Sequence, residues 1–248
     1  MGQPIHVVAF SGGKDSTAMV LRMREVWPRL QFRVICTPTG DELPELNDHW
    51  KSVEEMIGVP IERITNRTLD EWIQDFGALP NWRQRWCTRL LKIEPCLGFL
   101  SRLRRSSGHD PVLYVGLRAD EEARKGIYSE QVQTRFPLRE WGWGLKEVQG
   151  YLARRGVSIP GRTDCARCYG QRLIEWFHLW RDYPERFNLA LRQEKETGHT
   201  FRSPQRDQWP TALADLAVAF KSGKKPPGYK AQVSLPFGAA NACRVCSL

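Results

Sequence analysis

The stretch IHVVAFSGGKDST, residues 5–17, decides the fold of this chain. Residues 5–10 form a short apolar run that Ser11-Gly12-Gly13 breaks, and residues 17–23 then repeat apolar side chains with the spacing of a helix. Glycines allow backbone N–H groups to turn inward, and the N-terminus of a helix adds a partial positive charge. The sequence therefore predicts a strand, a turn and a helix that together bind a phosphate group.

Strand and helix patterns continue to alternate after this segment. Further strands are predicted at residues 32–36, 58–64 and 111–116, with a helix at 46–57. Such alternation is typical of an α/β fold, a parallel sheet with helices on both faces, in which ligands bind beyond the carboxyl ends of the strands.

Beyond Pro160 the strand pattern fades, and residues 173–196 have a helical pattern with many aromatic and charged side chains. We therefore predict an α/β nucleotide-binding domain over residues 1–160 and a small, mainly helical, cysteine-containing region over 161–248. The sequence GKKPPG at residues 223–228 predicts an irregular loop, either mobile or covering a ligand.

Composition narrows the class of protein. The 248 residues carry a net charge of +9, which favours a polyanionic partner or, alternatively, only a solvated basic surface. No apolar run reaches the ~18–20 residues that span a bilayer, and the N-terminus lacks the order of a signal peptide, so we expect a cytoplasmic protein. An odd number of cysteines in that compartment indicates thiol or metal chemistry rather than disulfides. The seven are Cys36, Cys87, Cys96, Cys165, Cys168, Cys243 and Cys246.

The phosphate turn has its own chemistry. Lys14 supplies a full positive charge, Ser11 and Ser16 can donate hydrogen bonds, and Asp15 would cap the helix or hold a magnesium ion. The spacing is not that of a Walker A loop. It resembles the SGGxDS signature of the PP-loop ATP pyrophosphatases, a class of adenine nucleotide alpha hydrolases. That resemblance implies ATP with Mg²⁺ held by residues 11–16 and catalytic roles for Lys14 and Asp15; the alternative is an ordinary structural turn.

Two further stretches narrow the resemblance. TGDELPE at 39–45 and GLRADEEAR at 116–124 resemble segments of the phosphoadenosine phosphosulfate (PAPS) reductase family, and the likeness extends over roughly residues 5–170. It implies four more nucleotide-binding residues, which are Asp41, Gly116, Arg118 and Arg124. The two arginines would clamp phosphate or sulfate oxygens. The alternative for Arg124 is a surface ion pair with Asp120 or Glu121.

Cys87 and the pair Cys165-Ala166-Arg167-Cys168 are separated by 77 residues. This spacing resembles the iron–sulfur arrangement of adenylylsulfate (APS) reductases, in which a Cys-Cys pair precedes C-x-x-C by about 80 residues. Trp86 stands where the first cysteine of that pair would be. The resemblance implies a [4Fe-4S] cluster on Cys87, Cys165 and Cys168, with Cys243 or Cys246 as the fourth ligand or with one iron left open.

Other interpretations of the cysteines remain. Zinc bound by Cys165, Cys168, Cys243 and Cys246 is one, although 74 residues separate the two pairs, and a protein without metal is another. The terminal pair would alternatively be a mobile redox or persulfide carrier in which Cys246 is the catalytic sulfur. Cys36 and Cys96 are expected to be buried apolar residues.

The intact order of residues 12–15 separates two chemistries. Sulfonucleotide reductases typically resemble this superfamily with a degraded loop, whereas an ATP pyrophosphatase needs the full loop. We therefore predict an enzyme that adenylates an acceptor for sulfur insertion, similar to the DndC family of DNA phosphorothioation proteins or to transfer-RNA thiolases. The alternatives are an APS or PAPS reductase and a non-catalytic nucleic-acid-binding module.

Tryptophan and arginine interleave at residues 82–86 and 139–143, which offers phosphate neutralisation and stacking faces together. This composition predicts a nucleic-acid acceptor, unless the ten tryptophans of the chain simply fill core positions. The other expected partners are a cysteine desulfurase or other sulfur donor, and a second copy of the chain.

Overall fold

A computed structural model of the chain describes residues 4–124, 132–204 and 206–229. Five parallel strands form one sheet within these residues, in the order β3-β2-β1-β4-β5. The strands are β1 Ile5–Ala9, β2 Phe32–Cys36, β3 Ile61–Arg63, β4 Pro111–Tyr114 and β5 Gln133–Arg135. The first four lie where the sequence predicts them, and the predicted α/β fold is confirmed.

The helices lie between and after the strands. Those of the described residues are α1 Lys14–Val26, α2 Pro44–Ile57, α3 Leu69–Phe76, α4 Trp86–Thr88, α5 Glu94–Ser107, α6 Pro137–Glu140, α7 Leu145–Arg154, α8 Leu173–Asp182, α9 Pro184–Thr197 and α10 Leu213–Lys221. A π-helical turn, Arg89–Ile93, joins α4 to α5. None of the described helices is long and apolar enough to cross a membrane.

The helical structure predicted at 173–196 is confirmed and consists of two helices. Pro184 has no N–H group to continue the helix and disfavours the helical conformation of the residue before it. Tyr183 accordingly adopts φ −133° and ψ 61°, which ends α8 and starts α9. Residues 223–228 are irregular, as predicted.

Both faces of the sheet are buried. Val8 and Val34 point into a core formed with α1, α2 and α7, whereas Val7 and Leu113 point to the opposite face and pack against α5. Successive strand residues alternate between the two faces, so β1 needs apolar side chains on both. This explains the continuous apolar run that precedes the phosphate turn.

A third core lies beneath the C-terminal helices. Trp176 and Phe187 of α8 and α9 share it with Leu69 and Ile73 of α3 and with Leu91 of the π-helical turn. The helical region beyond residue 160 is therefore packed directly against segments that precede it in sequence. The domain boundary after residue 160 stays a prediction.

His49 of α2 supports the first turn of α1. Its Nε2 lies 3.0 Å from the hydroxyl of Thr17, and its ring stacks on Phe10 at a centroid distance of 6.5 Å. Burial lowers the pKa of His49 to about 4, since the charged imidazole would lose its hydration. The imidazole is therefore neutral beside the phosphate turn at pH 7.

This lowered pKa makes the free energy of unfolding depend on pH. Between about pH 6.5 and pH 4 the unfolded chain binds a proton at His49 that the folded chain does not, so stability falls as the pH falls through this window. At ~1.4 kcal/mol per pKa unit the loss amounts to about 3 kcal/mol. We expect the free energy of unfolding, measured with urea at pH 7 and at pH 4, to fall less between these pH values in His49→Gln than in the wild type. His199→Gln, at an exposed site, is the control, and equal losses in wild type and His49→Gln would contradict the assignment.

Candidate active site

An open cleft lies at the carboxyl ends of β1, β2 and β4, where a parallel sheet is expected to bind ligands. It encloses about 1040 Å³ of empty space, part of it open to solvent. This strand-end cleft is lined by residues of the phosphate turn, the loop after β2, the segment after β4 and the cysteine region. They include Ser11, Gly13, Asp15, Ser16, Glu42, Gly116, Arg124, Asp164 and Cys165.

Two glycines allow the phosphate turn to pack closely. Gly12 has φ +79°, and a Cβ atom on it would lie 2.4 Å from Nε1 of Trp50. A Cβ atom on Gly116 would lie 3.0 Å from the backbone N of Ser16. The turn is thus pressed between α2 on one side and the end of β4 on the other, and any side chain at either glycine would push it away.

The two serines of the turn also contact each other. The hydroxyl oxygens of Ser11 and Ser16 are 3.1 Å apart, and the Gly13 N–H donates to Ser11 Oγ at 3.3 Å. Ser16 Oγ in turn donates to the Gly13 carbonyl at 3.1 Å. These bonds hold the turn in shape, while both serines line the cleft as predicted for phosphate-binding residues.

Asp15 lies between two cations. Its Oδ2 is 3.2 Å from Lys14 Nζ and 3.0 Å from Arg118 Nη1. Lys14 and Arg118 therefore point to this carboxylate, and neither is among the residues that line the cleft. Burial would lower the pKa of Arg118, but the carboxylates of Asp15 and its acidic neighbours raise it, so the guanidinium stays charged. Arg118 also pairs with the carboxylates of Asp120 and Glu121, at 2.8 and 3.7 Å, so its charge is shared among three acidic groups.

The other oxygen of Asp15 has a different environment. Oδ1 is buried and has no hydrogen-bond partner within the described part of the chain. A buried carboxylate oxygen without a partner is costly, and carboxylates are usual ligands of Mg²⁺. Asp15 lines the cleft, so this oxygen is suited to a magnesium ion that accompanies a nucleotide.

Arg124 forms the ion pair of the alternative interpretation, and its role as an anion clamp stays a prediction. Its Nη1 donates to Glu121 Oε1 at 2.6 Å, which is the ion pair of the alternative interpretation, and yet the residue lines the cleft. Arg139 holds this segment by donating to the carbonyls of Glu121 and Arg124, each at 2.6 Å. The Nε of Arg124 is buried and has no partner among the described residues, so the guanidinium retains a donor for an anion.

Asp41 lies elsewhere than the sequence predicts, because it does not line the cleft. Its side chain is completely buried and accepts hydrogen bonds from the backbone N and from Nε of Arg167, at 2.8 and 2.9 Å. Its own carbonyl accepts from the Ala166 N–H at 2.7 Å. The residue predicted to bind the nucleotide thus anchors the two residues between Cys165 and Cys168.

Cys87, Cys165 and Cys168 come together from distant positions. They pack around Tyr169 and line a second, mostly apolar cavity, the cysteine cavity, whose empty space of about 380 Å³ is partly open to solvent. The Thr39 hydroxyl donates to Cys165 Sγ at 3.3 Å. Three converging thiols fit the donor set of an iron–sulfur cluster. Within residues 4–124, 132–204 and 206–229 no three His, Cys, Asp or Glu side chains are arranged to hold a single metal ion.

Cys243 and Cys246 lie outside the described residues. The fourth cluster ligand, the zinc alternative and the terminal persulfide carrier all depend on them and stay predictions. Cys36 and Cys96 are buried, as expected, and burial raises the pKa of Cys36 to about 12.

The strand-end cleft and the cysteine cavity share a wall. Lys92, Asp164 and Cys165 line both. Lys92 belongs to the π-helical turn after Cys87, a local irregularity that often marks functional sites. Sequence reasoning did not select this lysine, and its only local signal was its position five residues after Cys87.

Comparison with known proteins gave a matching family and a set of similar solved structures, which includes a reductase and a thiolase. The sequence profile described as "Phosphoadenosine phosphosulfate reductase domain" matches residues 5–161. The PAPS reductase of Candida auris, in a phosphate complex, has 16% identity and a TM-score of 0.48, with 63% of this chain and 75% of that chain covered. The U34-tRNA thiolase NcsA of Methanococcus maripaludis, with its [4Fe-4S] cluster, has 17% identity and a TM-score of 0.48, with 100% and 82% covered. No curated protein matches the sequence.

The close approach at Gly116 can be tested by adding one methyl group. We expect Gly116→Ala to lower the free energy of unfolding by about 1–3 kcal/mol, because the new Cβ meets backbone rather than a flexible side chain. Gly98→Ala is the matched control, since a Cβ there would only touch the end of Arg102 and should leave stability equal or slightly higher. Urea denaturation measures both, and a Gly116→Ala protein as stable as the control would refute the close contact.

Proposed function

Because the chain belongs to the phosphoadenosine phosphosulfate reductase family, we propose that it is an enzyme of that family that uses ATP to adenylate a nucleic-acid acceptor for sulfur insertion. The single observation that carries the proposal is the wall shared by the two cavities. Asp15 and other residues of the intact phosphate turn line the strand-end cleft, and Lys14 pairs with Asp15. Three cysteines line the cysteine cavity. Phosphate chemistry and sulfur chemistry would then proceed side by side.

In the first step an acceptor oxygen attacks the α-phosphorus of ATP. The bond from that phosphorus to the β-bridging oxygen breaks, and pyrophosphate leaves with its electron pair. The backbone amides of the turn and the guanidinium of Arg124 would stabilise the charge that develops on the leaving group. Mg²⁺ bound with ATP, next to Oδ1 of Asp15, would neutralise part of the phosphate charge.

In the second step a sulfur at the oxidation level of sulfide attacks the atom that bears the adenylated oxygen. AMP leaves with that oxygen, so the acceptor exchanges oxygen for sulfur without net oxidation or reduction. Lys92, between the two cavities, would attract both the α-phosphate and an anionic sulfur. A cysteine desulfurase would supply this sulfur as a persulfide, which a thiol reductant would reduce by two electrons to the sulfide level, whereas another donor would supply sulfide directly. The cytoplasmic location and the homodimer stay predictions from the sequence.

Cys87, Cys165 and Cys168 would hold the iron–sulfur cluster, with Cys243 as the proposed fourth ligand and Cys246 as the proposed carrier sulfur. Such a cluster, when bound, supplies iron that can bind sulfur or transfer electrons. Thr39 and Asp41 keep the cysteine pair beside the cleft through their bonds to Cys165 and Arg167.

A second candidate function is reduction of APS or PAPS to sulfite, which the family match itself favours. The same anion-binding groups, Arg124 and the turn amides, would then hold the sulfonucleotide. The two functions differ in their products. Sulfite formed from a sulfonucleotide without consumption of ATP would identify the reductase, and pyrophosphate and AMP formed from ATP would identify the pyrophosphatase.

The phosphate turn is tested by replacing its charged residues. We expect Lys14→Ala and Asp15→Asn each to lower the rate of acceptor-dependent pyrophosphate release by at least about 100-fold, because Asp15→Asn removes the carboxylate proposed to hold Mg²⁺ and Lys14→Ala removes the cation paired with that carboxylate. Lys195→Ala, at an exposed lysine of α9, should retain the wild-type rate. Thermal unfolding of each variant checks that it is folded. Unchanged pyrophosphate release in folded Asp15→Asn would remove the turn from the mechanism.

The cysteines are tested by metal content. An anaerobic preparation should contain iron and acid-labile sulfide and absorb visible light, and Cys87→Ser or Cys165→Ser should lose most of both. Cys96→Ser, at a buried cysteine of α5 outside the cysteine cavity, should keep them. A colourless, iron-free protein from that preparation would reject the cluster.

A further inference from the structure

An exposed tryptophan lies next to the cysteine cavity. The Trp82 side chain is 48% exposed, although it is apolar and large. Its ring lies 5.4 Å from that of Tyr169 at an interplanar angle of 83°, and Tyr169 lines the cavity together with Pro80. One face of the indole is therefore available to a ligand at the mouth of the cysteine cavity.

Three arginines lie in the loop that carries this indole or contact the segment of its neighbour Tyr169. Arg83 and Arg85 lie in the same loop, and Arg206 donates to the carbonyls of Tyr169 and Gly170 at 3.4 and 3.3 Å. Within the described ranges none of these three guanidinium groups forms an ion pair with a carboxylate. Nε of Arg85 is moreover buried without a hydrogen-bond partner among the described residues. The mouth of the cavity thus combines an aromatic face with several uncompensated cations.

The loop that carries Trp82 is held in one conformation. Asn81 Oδ1 accepts hydrogen bonds from the backbone N–H groups of Arg83 and Gln84, each at 2.9 Å. The Asn81 N–H donates in return to the Gln84 carbonyl at 3.4 Å. A preorganised loop lowers the entropy lost when a ligand binds.

The other tryptophan- and arginine-rich stretch has a structural role. Trp141 and Trp143 pack against Trp27 and Tyr151 in the core of the α/β fold. The Arg139 guanidinium is occupied by backbone carbonyls. Trp86 of the first stretch is buried as well. Burial therefore separates Trp82 from the tryptophans that sequence composition grouped with it.

We propose that Trp82 stacks on an unpaired nucleobase of single-stranded RNA or DNA, so that the edge of this base faces the cysteine cavity. Arg83, Arg85 and Arg206 then neutralise the neighbouring phosphates. This inference rests on the proposed function and specifies its acceptor. A base in a duplex has both faces covered by its neighbours, so only an unpaired or flipped base can offer a face to the indole and an edge to the cavity. The base, rather than the sugar–phosphate backbone, is then the part that is recognised.

The test is binding of fluorescein-labelled single-stranded RNA, single-stranded DNA and duplex DNA to the full-length protein, followed by fluorescence anisotropy without ATP. Trp82→Ala should weaken binding of the preferred single strand by at least about 5-fold, since a base–aromatic stack contributes ~1–3 kcal/mol. Trp82→Phe should restore most of the affinity. Val218→Ala, which alters an exposed apolar side chain of α10, should change nothing.

The salt dependence tests the arginines separately. Arg83→Ala and Arg206→Ala should each make the plot of log affinity against log salt concentration less steep, by the amount that corresponds to about one phosphate contact. Trp82→Ala should leave the slope unchanged. The tighter of the RNA and DNA single strands identifies the acceptor. Equal affinity of wild type and Trp82→Ala for single strands, or tighter binding of the duplex, would overturn the inference.

These outcomes separate the two proposals. If binding depends on Trp82 but the wild type releases no pyrophosphate from ATP, the stacking site stands and the proposed function fails. If pyrophosphate release depends on Asp15 but single-strand binding does not depend on Trp82, the proposed function stands and the stacking site fails.

Discussion

The buried ion pair between Asp41 and Arg167 connects the two halves of the site. Both side chains are completely inaccessible to solvent, and Arg167 also donates from Nη1 to Asp70 and Gln193, each at 2.7 Å. An arginine can be buried in this way only if its donors are matched, and loss of one partner of such a pair typically costs ~3–5 kcal/mol. Because Arg167 lies between Cys165 and Cys168, its anchoring places both cysteines against the loop that follows β2.

This placement explains why the strand-end cleft and the cysteine cavity adjoin. The loop after β2 lines the cleft through Glu42 and contacts Cys165 through Thr39. On the cleft side, the carboxylate of Asp15 holds Lys14 and Arg118 under the phosphate turn. An anion in the cleft would therefore lie a short distance from the thiols, with Lys92 between them.

Burial also changes what the basic and aromatic composition of the chain implies about binding of a polyanion. Arg139 and Arg167 donate to carbonyls or carboxylates within the protein, so they contribute little to binding of a polyanion. Of the interleaved tryptophans, Trp86 is buried and Trp141 and Trp143 pack against a core, which is a usual role of large aromatic side chains. The proposed recognition of a nucleic acid therefore depends on a smaller set of side chains around Trp82.

The sequence by itself determined the features that depend on neighbouring residues. The strand, turn and helix of residues 5–17 follow from an apolar run, two glycines and a helical pattern, and the parallel sheet follows from repeated alternation. Local pattern was insufficient for β5, whose three residues pair only because β4 offers a free edge, and the break between α8 and α9 at Pro184 was not predicted. Tertiary structure alone decided that Asp41 binds Arg167, 126 residues away, that Lys92 lies between two cavities, and that Trp82 is exposed while Trp86 is buried. The physical reason is that hydrogen-bond partners and burial depend on which distant segments meet, and no local spacing encodes that meeting.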